Sequence, residues 1–114
     1  MAFDLRHILN CLGHAAARRQ WTRKNLECTG AAAEQLEVLA DAGQIDGVRL
    51  ALLSARALQV IWGDFLGYCA GEDRPSLVIK AIDSSFWQIS GDTVCMARIR
   101  SEFGDVRPAG YDAR

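Results

Sequence analysis

Histidine is scarce in this sequence, at two among 114 residues, and so is net charge, at −1. Near-neutrality excludes a global field that would draw the chain to nucleic acid or to an anionic membrane. Long uncharged hydrophobic runs are also missing. The richest apolar stretch, Val48 to Ala70, is interrupted by Arg49, Arg56 and Asp64, which a bilayer-spanning helix would not carry at mid-depth. The opening MAFDLRHILN has no apolar core before a small-residue cleavage site, so no export leader is read. The initiating Met is taken as the start of a small complete protein, and a cytoplasmic location is expected.

The four cysteines, at positions 11, 28, 69 and 95, contain no CxxC and no compact framework, which predicts free thiols serving mainly as small buried hydrophobes. Phosphate-cradling GxxxxGK[ST] and GxGxxG loops are absent, as are the GxSxG elbow and HExxH. A cysteine nucleophile with His7 or His14 as base is conceivable, but nothing singles out one pair. No enzymatic activity and no cofactor are expected.

What is present is half hydrophobic residues and a quarter charged, in a length that folds as one domain without a metal or disulfide. Residues 1–104 are read as a single globular domain and 105–114 as a mobile tail. Asp4 is a good N-cap for a first helix reaching near Trp21, with Leu5, Ile8, Leu9, Leu12, Ala15 and Ala16 on one side. A second helix is predicted over residues 30–42, with Gly43 after it. Asp46 caps a third, extending to about Ala70 through the row Leu50, Leu53, Ala57, Ile61, Phe65 and Cys69. After Pro75, β-branched and aromatic content predicts a hairpin of Leu77–Ile82 with Phe86–Ile89, or else one bent strand. Asp92 begins a last short helix ending near Gly104. The expected fold is therefore α+β but mainly α: three N-terminal helices packed with a small two-stranded β element and a short C-terminal helix.

Three local features carry functional readings. In HILNCLGH, His7, Cys11 and His14 recur at i, i+4 and i+7, a spacing that suits a soft metal ion. RRQWTRK interleaves Arg18, Arg19, Arg23 and Lys24 with Trp21, a possible stacking platform for nucleic acid. Charge is also segregated. Residues 1–25 hold five cations against Asp4 alone, whereas residues 26–47 hold Glu27, Glu34, Glu37, Asp41 and Asp46 with no cation. That acidic run suits a basic partner, because complementary charge speeds association and fixes register. In the pair Phe86-Trp87, strand geometry sends neighbours to opposite faces, so one of them can anchor a partner.

The favoured reading is a non-catalytic protein-binding module that inhibits or escorts a specific partner. In size and composition the chain is similar to bacterial immunity proteins and antitoxins, which would make the partner a nuclease-type toxin. Its binding residues would be Glu34, Glu37, Asp41, Asp46 and Trp87. The nucleic-acid and metal readings stand behind it.

Overall fold

A computed structural model of the chain describes residues 4–29, 44–56, 59–82 and 86–103. Within them run α1 (Leu5–Leu12), α2 (His14–Ala17), β1 (Gln20–Thr29), β2 (Ile45–Asp46), α3 (Gly47–Ser54), β3 (Gln59–Tyr68), β4 (Leu77–Ile82), β5 (Phe86–Ser90) and α4 (Thr93–Glu102). The strands form one antiparallel sheet in the order β2-β1-β3-β4-β5. The segment after Thr29, where a second helix was expected, lies outside the described residues, as does the 105–114 tail.

One sheet face is the floor of the core. Arg23 opposes Phe65 and Trp21 opposes Gly67; Phe65 in turn opposes Ile79, and Gly67 opposes Leu77. Trp21, Phe65, Leu77, Ile79 and Ala81 are buried there in one cluster with Leu5, Ile8, Leu9 and Leu12 of α1, Leu50 and Leu53 of α3, and Cys95 and Ile99 of α4. In β4 the side chains alternate buried and half-buried, the two-residue period of a strand with one face covered.

The mainly-α expectation is overturned by this five-stranded sheet. Two segments account for the difference. The first helix stops at Leu12, because Gly13 takes φ +58°, and a short helical turn follows only as far as Ala17. From Gln20 the chain is strand, so RRQWTRK straddles a turn and β1. Asp46 does cap a helix, its Oδ1 accepting the Arg49 N–H at 2.9 Å, but α3 ends at Ser54. Residues 59–68, read as the second half of a long helix, are the central strand β3. Their β-branched and aromatic content suits extended chain, and Gly63 and Gly67 weaken the helical alternative; a bare apolar run cannot distinguish buried strand from buried helix by period. The expected hairpin forms as β4 and β5, and Asp92 caps α4 through Oδ1 to the Cys95 N–H at 2.8 Å.

The four-residue α2 is held at its C-terminal end by the next residues of the chain. The Arg19 guanidinium donates to the Ala15 carbonyl, and Trp21 Nε1 donates to the Ala16 carbonyl at 3.0 Å. These bonds satisfy helix-end carbonyls that have no partner within the helix. Gly47, the first residue of α3, donates its N–H to the Arg19 carbonyl at 2.9 Å, bringing α3 against the same corner.

Candidate functional site

The second sheet face carries the arrangement with the clearest binding character. Register places Thr22, Leu66, Val78 and Ser90 in one cross-strand row, and Lys24, Asp64, Lys80 and Gln88 in the next. Trp62, two residues before Asp64, shares that face. Continuing the β3–β4 register one residue past the Gly63–Ala81 pair sets it level with Ile82, which opposes Phe86 across β4 and β5. Strands spaced about 4.8 Å apart put the Cα atoms of Trp62 and Phe86 about 10 Å from each other. Trp62 is 42% exposed and Phe86 50% exposed, with Ile82 half-buried between them. Two accessible aromatics joined by an aliphatic residue, beside a row of charge, resemble the anchor and rim of a protein-binding surface.

The residues singled out from sequence are distributed differently. Phe86 occupies the accessible face, whereas Trp87 lies half-buried against the core. Asp46 is exposed, with its carboxylate engaged as the α3 cap. Glu34, Glu37 and Asp41 lie outside the described residues. Trp62 was missed because it was assigned to a helix; alternation along VIWGDFLGY, read as strand, would have placed it on the open face.

The basic segment does not assemble a nucleic-acid platform. Trp21 and Arg19 are buried, at 0% and 2% exposure, in the helix-end bonds described above. Arg23 is half-buried on the core face, which leaves Arg18 and Lys24 as the exposed members of the group. A stacking aromatic must be accessible to bases, and Trp21 is not.

The structure does not bring His7, Cys11 and His14 of HILNCLGH together as one ligand set. His7 Nδ1 accepts the Asp4 backbone N–H at 3.0 Å, the reach-back half of a capping box. Cys11 Sγ donates to the Arg98 carbonyl at 3.4 Å. Burial pushes the Cys11 thiol up, Glu102 pushes it further, and Arg98 partly offsets them, which disfavours the thiolate a metal needs. The break at Gly13 removes the helical alignment of His14 with the other two. Among the described residues, no three His, Cys, Asp or Glu side chains are placed to hold one ion.

A further polar cluster ties the β3–β4 connection to the α2–β1 turn. Arg18 Nη1 donates to Cys69 Sγ at 3.2 Å, and Arg19 Nε to Ser76 Oγ at 3.0 Å. Glu72 Oε1 accepts from the Cys69 N–H at 2.6 Å and from Ser76 Oγ at 2.9 Å. The Cys69 N–H bond is the main cause holding the Glu72 carboxyl below its ordinary value of 4.5, followed by Ser76. The Asp92 carboxyl is similarly held below 3.8, chiefly by the Cys95 N–H. These bonds fasten a loop. Cys95 is a free, buried thiol raised by burial first and by Asp92 next, so it is chemically quiet.

Both carboxyls are depressed in the folded state, so their contribution is complete above the ordinary carboxylate values and is lost as pH falls through the folded ones. Urea midpoints should therefore drop on acidification between about pH 5 and pH 2. Glu72→Gln with Asp92→Asn, which keeps an acceptor at each position, should flatten that decline. An acid limb identical to that of the parent protein would show that these groups do not set it.

No helix among the described residues is long and apolar enough to cross a membrane. Comparison of the chain with protein-family models, curated proteins and solved structures finds no match.

Proposed function

We propose that this chain is a non-catalytic protein-binding module that inhibits or escorts a specific partner. The observation that supports the reading is the Trp62–Ile82–Phe86 row, whose two aromatics are 42% and 50% exposed on an otherwise folded sheet. Exposed large aromatics lose hydration cheaply and supply much of the energy of protein interfaces. Among binding partners, a basic nuclease-type toxin in the cytoplasm fits the acidic run from Glu27 to Asp46, which would meet the cations that such an enzyme uses to hold phosphate. In that form of the proposal the mechanism is occlusion: aromatic anchoring on the sheet, with steering by Glu34, Glu37 and Asp41.

The immobilised chain should retain one protein from its host extract in stoichiometric amount. Trp62→Ala with Phe86→Ala should weaken that complex about 30-fold or more, as expected for loss of interface anchors. Reversal of Glu34, Glu37 and Asp41 to Lys should slow association at low salt if the partner is basic. Capture that is indifferent to the aromatic pair, or no captured protein at all, would remove the reading.

A further inference from the structure

The charged row on the open sheet face does not sum to zero. Lys24, Asp64 and Lys80 stand side by side on β1, β3 and β4, two cations to one anion. Lys24 is exposed, and Asp64 and Lys80 are half-buried. Among the described residues, no hydrogen bond or ion pair occupies any of these three side chains. The row is also enclosed by apolar groups. On one side lie Leu66 and Val78, both half-buried, and on the other Ile82 with the accessible aromatics Trp62 and Phe86. Neighbouring rows on one sheet face are two residues, or about 6.7 Å, apart. An element about 10 Å across that anchors on the aromatic row therefore overlaps the charged row as well.

We infer that the occupant of this face brings a carboxylate to the charged row: its contact segment carries an Asp or Glu beside the apolar side chains that meet Trp62 and Phe86. The reason is desolvation. An ion covered by an interface loses its hydration, and a covered charge without a counter-ion costs far more than a matched set. Asp64 balances one of the two lysines, and one positive charge is left over. A carboxylate from the partner closes the sum. A cation in its place would leave two uncompensated charges, and a wholly apolar segment one. Because Lys24 and Lys80 flank Asp64, the incoming carboxylate has a cation to approach on either side of it. This inference rests on the open-face binding reading and concerns only the residue set down on the sheet. The charge of the partner as a whole, and steering by Glu34, Glu37 and Asp41, are separate from it.

A phage-displayed library of random short peptides, panned on the immobilised full chain, supplies the probe. Binders are first sorted by whether Trp62→Ala with Phe86→Ala weakens them about tenfold or more. Those that depend on the aromatics should be enriched in Asp or Glu next to apolar residues. Changing that acid to its amide should weaken a synthetic copy about tenfold. The charge of the row can then be stepped. Asp64→Asn removes its anion and should strengthen the acidic preference, whereas Lys80→Gln brings the sum to zero and should abolish it. Lys80→Glu reverses the sign and should select Lys or Arg instead. Lys24→Gln repeats the neutral step at an exposed position, and unchanged thermal unfolding of each variant separates charge from misfolding. Aromatic-dependent peptides with no acidic preference, or a preference that stays the same across the series, overturn the inference and leave the binding reading standing. The absence of any peptide that depends on the aromatics overturns both.

Discussion

Gly47→Ala is expected to prevent the chain from reaching its native state. A Cβ on Gly47 would run into the Ala16 carbonyl oxygen and sit 2.7 Å from the Ala17 carbonyl oxygen and 2.8 Å from the Ala17 carbonyl carbon. All three are backbone atoms at the end of α2, so no rotamer change relieves the clash. Moving α3 away would break the Gly47 N–H bond to the Arg19 carbonyl and lift buried Leu50 and Leu53 from the core. A domain of this size has about 5–15 kcal/mol of stability to lose. The variant should be recovered largely unfolded or aggregated, with a collapsed circular-dichroism transition. A cooperative unfolding curve close to that of the parent protein would show that α2 and α3 are not in this contact.

Trp21→Ala should have the next largest effect, a loss of about 3–5 kcal/mol as expected for a fully buried aromatic. The indole is 0% exposed, and a Cβ on Gly67 would lie 2.9 Å from its ring, so the strand backbone approaches the ring closely. Truncation leaves a cavity beneath β3 and removes the bond from Nε1 to the Ala16 carbonyl. Trp21→Phe keeps most of the volume and loses the donor. Denaturant midpoints should therefore rank parent above Phe above Ala, with the Phe variant nearer the parent. Equal losses in the two variants would assign the stabilisation to the hydrogen bond and not to packing.

Local signals were legible where the chemistry is local. Asp46 and Asp92 each bond a backbone N–H three residues ahead, and a sequence reader needs only those few positions to see it. The β4–β5 hairpin was legible because its residue types and the Asp83–Ser85 spacing agree. The central strand was not. Gln59–Tyr68 is apolar enough to suit either a helix or a covered strand, and only its pairing with β1 and β4 decides between them.

The candidate site followed the same division. Opposite orientation of Phe86 and Trp87 follows from strand geometry alone, but which of them meets solvent depends on where α1 and α4 pack. RRQWTRK resembled a basic platform because composition does not reveal that Arg19 and Trp21 turn back onto the carbonyls of α2. HILNCLGH looked like a ligand set until the positive φ at Gly13 broke its helical register.

The strand order also governs when the fold can assemble. The β3–β4–β5 meander joins segments adjacent in the chain, so its loops close quickly. By contrast, β1 must wait for β3: Thr29 pairs with Gln59, and Gln20 with Tyr68. Trp21 lies opposite Gly67, so its cover across the sheet depends on a strand that follows it by more than forty residues. Pairing of β1 with β3 therefore closes a longer loop, at a greater entropic cost, than either connection of the meander.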